Sequence, residues 1–168
     1  MLGKAKLASF QSVGGHERAL DARRLLAQMI GMPKSLTRTE RMMRAYLLLV
    51  ALLLVPIALS YGIDPAALLP KFLNISVEGT DQTQIFRALM CLYLAASAFW
   101  AIAAFKPAWQ RVAVIWAVFF AFSLAFGRVI SLVVDGPASR LLDLYLVLEV
   151  VGGLLGLAVL AYARKSVP

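Results

Sequence analysis

Residues 127–156 read GRVISLVVDGPASRLLDLYLVLEVVGGLLG. Two apolar runs meet at Asp135-Gly136-Pro137, and each run carries one isolated charge, Arg128 before the junction and Glu149 after it. Asp, Gly and Pro in succession end one helix and turn the chain, so the stretch predicts a helical hairpin. Each run is greasy enough to cross a bilayer. A charge at membrane depth costs about 2.5–3.5 kcal/mol even by insertion measurements, so both side chains are expected to face protein or water and to pair.

Composition carries the membrane reading to the rest of the chain. Of the 168 residues 61% are hydrophobic, with a mean hydropathy of +0.80, against about 45–50% apolar in soluble domains. The formal charge is +8, with 17 Lys and Arg against 9 Asp and Glu. Nine of the basic residues precede position 45, and no aromatic-basic stripe or zinc-finger spacing accompanies them. The basic balance therefore points to a cytoplasmic flank and not to nucleic acid. The single cysteine, Cys91, excludes an intrachain disulfide and is expected to be a packed thiol. With one histidine, His16, outside the apolar runs, no set of metal ligands at matched depth is available, so neither a metal nor a cofactor is expected.

Four spans are expected, over about residues 45–61, 84–105, 112–134 and 141–163, each near the roughly 20 residues that cross ~30 Å of hydrocarbon. The first is marginal unless the residues before it contribute. Thr37 to Glu40 has capping-box spacing and is expected to open that helix, and Asp81 to Gln84 gives a similar signal for the second. Pro56 lies inside the first span, and Pro65 to Pro70 suggests a short interfacial helix. Residues 1–44 form a basic extension in which Ala22, Leu25, Leu26 and Met29 recur at helical spacing, predicting an amphipathic helix over 17–32 that lies on the membrane or on a partner. Lys34, Arg38, Arg41 and Arg44 then form a juxtamembrane cluster suited to anionic headgroups or to a partner's surface. The fold expected is an all-α integral membrane four-helix bundle preceded by this interfacial helix.

The flanks set an orientation. Lys106 and Arg111 in the second connection and Arg164 and Lys165 after the last span join the basic N-terminus, whereas the other connections carry Lys71 and Arg140 among several acids. Both termini are expected to be cytoplasmic. Trp100, Trp109 and Trp116 flank the second connection as interfacial anchors would.

In that topology Arg128 and Glu149 differ in depth by about 9 Å, on 1.5 Å per residue. Side chains lean toward their own helix N-terminus, so the two lean toward each other and a salt bridge becomes feasible. Asp143 competes for Arg128, being closer in depth, but it also sits three residues after Arg140. Gly152, Gly153 and Gly156 share a face with Glu149, where a neighbouring helix could approach closely. Arg87 lies about one turn inside the second span, shallow enough to snorkel. The pair Arg128 and Glu149, with Arg87 and Asp143, either fixes helix register or forms a site for a proton, ion or polar headgroup.

Gly127-Arg128 through Ser131 to Asp135-Gly136-Pro137, followed by Leu148-Glu149 and the glycines, resembles a bacterial four-span family known as domain of unknown function 4345. Arg87 in FRALMCLYLA looks like that family's arginine at the start of its second span. The small residues usual after it are replaced by Ala88, Leu89 and Met90, which leaves the closeness of packing there open. The resemblance covers about residues 45–163 and implies a four-helix membrane fold in a bacterial cytoplasmic membrane. It implies no activity.

No catalytic residues are expected, because no nucleophile-base pair stands in the spans. The small size and the basic extension suggest an accessory or assembly subunit of a larger membrane complex. The alternative is a small transporter or lipid-binding protein that uses the Arg/Glu site.

Overall fold

The computed structural model describes residues 36–165. The expected helix over 17–32 and Lys34 lie outside the described residues. Five helices follow one another: α1 (Arg38–Gly62), α2 (Pro65–Leu73), α3 (Gly79–Ala104), α4 (Pro107–Val134) and α5 (Arg140–Lys165). Four of them, α1, α3, α4 and α5, are long and apolar enough to cross a membrane, and no strand occurs among the described residues. The protein is an all-α, multi-pass membrane bundle.

α1 begins at Arg38, earlier than the apolar run alone suggests, because Thr37 and Glu40 close a capping box. The Thr37 N–H donates to Glu40 Oε2 at 2.7 Å and the Glu40 N–H to Thr37 Oγ1 at 3.2 Å. Two orphan donors are thereby satisfied, and Arg38, Arg41 and Arg44 ride on the first turns of the spanning helix itself. That addition makes the first span long enough. The helix continues through Pro56 to Gly62.

α2 is capped by Asp64, whose Oδ1 accepts from the Ala67 N–H at 3.2 Å, and Asn74 ends it in the left-handed region at φ 57°. Pro65, Leu69 and Leu73, one helical turn apart, bury its inner face. α3 starts at Gly79, upstream of the expected Asp81–Gln84 cap, which does not form. Instead the Glu78 N–H donates to Gln82 Oε1 at 2.6 Å, and Gly79 supplies the positive φ of 79° that turns the chain into the helix.

α1 packs mainly along α3 and α4 mainly along α5, with α1 also touching α4 and α5. Small side chains are buried on both sides of the α1–α3 seam, Ala51 and Ala58 on α1 and Ala96 and Ser97 on α3. Ser97 Oγ crosses it, donating to the Ala51 carbonyl at 2.8 Å. Such close approach suits membrane helices, which gain little from excluding apolar groups from lipid and associate by contact and interhelical hydrogen bonds. Gly62 serves the same end: a Cβ there would lie 2.5 Å from Met90 Cβ. Gly62 on α1 thus makes the room that Met90 on α3 fills.

α3 departs from expectation at two residues. Trp100 is a core residue, only 3% exposed, and not an interfacial anchor. It falls in line with Tyr93, Ala96, Ala103 and Ala104 on the inward face and meets Trp116 and Phe120 ring to ring at 5.4 and 5.3 Å. Trp109 and Trp116 are exposed. Cys91 is exposed and not packed, because it lies off that inward stripe. At the α3–α4 turn the buried Gln110 donates from Nε2 to the Ala104 carbonyl at 2.9 Å, tying the two helix ends together.

Candidate functional site

Arg128 on α4 and Glu149 on α5 are joined. The Arg128 Nε–H is shared by Glu149 Oε1 and Oε2, both at 2.9 Å. The side chains are 20% and 13% exposed, so the pair sits at the edge of the bundle interior. The two helices run closely side by side because glycines on α5 admit neighbours. Gly153 faces the Phe122 ring, with a hypothetical Cβ 2.7 Å from it, and Gly156 faces Val118 and the Tyr46 hydroxyl. Glu149, Gly153 and Gly156 stand at i, i+4 and i+7, on one face of α5.

Gly152 departs from the expected close-packing face: a Cβ there would meet nothing within 4 Å. Its part is played by its carbonyl, which accepts from the Tyr46 hydroxyl at 3.1 Å and ties α1 to α5.

Arg128 borders two cavities. One, of about 370 Å³, is lined by Tyr61, Tyr93, Ser123, Arg128, Ser131 and Asp143 together with apolar residues of the α4–α5 hairpin. The other, of about 180 Å³, is almost wholly apolar and runs between α1, α4 and α5, where Leu53, Ile57, Leu124, Leu148 and Leu155 line it. Arg128 and Tyr93 belong to both walls. The guanidinium also lies over the Tyr145 ring, 5.5 Å from its centroid.

Asp143 lines the polar cavity but is not the partner of Arg128. Among the described residues it forms no ion pair, with Arg128 or with Arg140. Arg87 is exposed and lies outside both cavities; the preceding residue, Phe86, takes the inward position and stacks on Tyr61 at 6.2 Å. Tyr46, Tyr61, Tyr93 and Tyr145, four of the chain's five tyrosines, line the cavities. The sequence expectation omits them, although for Tyr46 and Tyr93, well inside their spans, a hydroxyl that needs a partner at that depth is a signal.

At the opposite end of the bundle, Arg44 lies over the Phe105 ring at 4.2 Å, Arg38 over Tyr162 at 5.6 Å and Lys106 over Trp109 at 4.6 Å. Arg41 is exposed. No group of three or more His, Cys, Asp or Glu placed to hold a metal occurs among the described residues.

The family model described as Domain of unknown function (DUF4345) matches residues 42–160. The chain belongs to this family. The DUF4345 match takes in Arg128, Glu149 and the linings of both cavities, and it begins after Arg38 and Arg41. No curated protein and no solved structure matches the chain.

The site's chemistry follows from the way the guanidinium is used. Glu149 is engaged through Nε and Tyr61 also hydrogen-bonds the guanidinium, whose two terminal nitrogens carry four N–H donors in all, more than Tyr61 alone can use and suited to an oxyanion. The pair can hold its own charge balance and still offer donors to the polar cavity.

Proposed function

We propose that the protein is a non-catalytic, multi-pass protein of the bacterial cytoplasmic membrane that binds a lipid at the Arg128–Glu149 site. One observation carries this reading. Arg128 stands on the boundary between a cavity half lined by polar residues and one that is almost wholly apolar, and a lipid likewise joins a polar part to an apolar one. The headgroup would occupy the space beside Arg128, Ser123 and Ser131, and an acyl chain the slot between α1, α4 and α5.

Both termini are assigned to the cytoplasm. The contacts of Arg38 with Tyr162 and of Arg44 with Phe105 gather the start of α1 and the ends of α3 and α5 at one end of the bundle. That end carries Arg41, Lys106, Arg111, Arg164 and Lys165 as well, and an excess of Lys and Arg favours the cytoplasmic side. These side chains would meet anionic headgroups of the inner leaflet. The lipid site then opens toward the outer leaflet.

The test is lipid extraction from the full chain purified in mild detergent. Wild type is expected to retain phospholipid through purification, and Arg128→Gln to lose it while eluting as a folded protein. A wild-type protein that is free of lipid, or an Arg128→Gln protein that retains as much, overturns the reading.

A second reading, an accessory subunit of a larger membrane complex, is favoured by the uneven burial of the helices. The most apolar stretch of α1 is 33% buried and those of α4 and α5 are each 17% buried, so the α4–α5 pair has the freer outer surface for a partner helix. Native purification with mass spectrometry tests it: a protein that always runs alone argues against a partner.

A further inference from the structure

The charges around the polar cavity restrict the headgroup further. Arg128 and Glu149 cancel, which leaves Asp143 as an excess negative charge on the cavity wall. Asp143 is exposed and, among the described residues, its carboxylate has no hydrogen-bonding or ionic partner. Neither neighbouring charge engages it directly: Arg140, one turn earlier on α5, forms no ion pair with it, and Asp135 across the turn is itself acidic and accepts from Ser131 Oγ at 2.8 Å. A wholly anionic headgroup would bring its charge to Arg128 against both Glu149 and Asp143. A headgroup with a phosphate and an ammonium a few bonds apart satisfies both sides.

We propose that the site selects a zwitterionic phospholipid whose headgroup carries a primary ammonium, as in phosphatidylethanolamine. The phosphate takes the terminal nitrogens of Arg128, and the ammonium is held by the Asp143 carboxylate with the hydroxyl oxygens of Ser123 and Ser131 as further acceptors. A primary ammonium has three N–H donors for these acceptors, whereas a quaternary ammonium has none. The cavity, at about 370 Å³, is within the ordinary size of a small-molecule site, about 300–1,000 Å³. The proposal rests on the lipid-binding reading and adds the choice of headgroup.

The experiment titrates the full chain in detergent with phosphatidylethanolamine or phosphatidylglycerol of identical acyl chains, and with glycerophosphoethanolamine, which has none. Occupancy is read by native mass spectrometry. Wild type is expected to bind phosphatidylethanolamine about tenfold more tightly than phosphatidylglycerol, the order of one charge-assisted contact. Asp143→Asn, an exposed substitution, is expected to remove that preference. Arg128→Lys retains a cation for Glu149 but loses the guanidinium's terminal N–H donors, and it is expected to weaken both lipids. Equal or tighter binding of phosphatidylglycerol by wild type, or a preference unchanged in Asp143→Asn, overturns the choice of headgroup and leaves the lipid reading standing. Glycerophosphoethanolamine binding as well as the lipid overturns the commitment to a lipid. If neither phospholipid binds, the lipid reading itself fails.

Discussion

Arg128 and Glu149 invite two explanations, a lock between helices and a ligand site, and their stabilities separate them. Removing one partner leaves the other charge unmatched at membrane depth. Arg128→Met is therefore expected to destabilise the bundle by about 2–3 kcal/mol, below the usual cost for a fully buried pair because the Arg128 side chain remains 20% exposed. The double variant Arg128→Met/Glu149→Met removes both charges and is expected to return to within about 1 kcal/mol of wild type, since apolar residues of similar volume often replace buried pairs without loss. Thermal unfolding in detergent measures both. If the double variant is restored in stability but retains no lipid, the pair serves binding; lipid retained by the stable double variant would show that the pair only locks the helices. The contact itself is legible in the sequence, because helix rise and the lean of side chains toward the N-terminus bring these two charges together. Its surroundings are not. Tyr61 and Tyr93 read as ordinary span residues until α1 and α3 are folded against α4.

The helices show why inward and outward faces are harder to read than the helices themselves. Length, hydropathy and turn residues mark a span whatever its neighbours are. Facing is different, because lipid and bundle interior are both apolar and the sequence has little polar contrast to distinguish them. Cys91 and Trp100 on α3 run against expectation for this reason, as does the equal weight given to three glycines on α5. The glycines make different predictions once their neighbours are known. Gly156→Ala would drive a methyl group into Val118 and the Tyr46 hydroxyl and is expected to cost about 1–3 kcal/mol, as overpacking does. Gly152→Ala meets open space and is expected to be neutral or to stabilise by up to about 1 kcal/mol through helix propensity. Tyr46→Phe removes the bond to the Gly152 carbonyl and is expected to cost about 0.6 kcal/mol, a typical interhelical hydrogen bond in a membrane. Melting curves in one detergent rank the three, and an equal cost for both glycines would contradict the packing described for α5.

The orientation of the bundle decides which leaflet would supply the proposed lipid. The polar cavity lies beside the α4–α5 turn, near Ser131 and Asp143, and the stacked basic residues lie at the other end. If the basic end is cytoplasmic, the α2–α3 connection faces outward with the cavity, and the α3–α4 turn faces inward. Cysteine labelling in intact cells tests this, in a Cys91→Ala background that is expected to alter stability by no more than about 0.5 kcal/mol because the thiol lies on the outer surface of the bundle and alanine adds no polar group there. Ser76→Cys, in the exposed α2–α3 connection, is expected to react with a membrane-impermeant maleimide added outside. Ala108→Cys, exposed at the start of α4, is expected to react only after the cells are opened. The reverse pattern would place the basic flanks outside, against the usual charge bias, and would turn the cavity toward the cytoplasmic leaflet. The headgroup selection argued from Asp143 would survive that inversion, because it depends on the charges lining the cavity and not on the side from which the lipid enters.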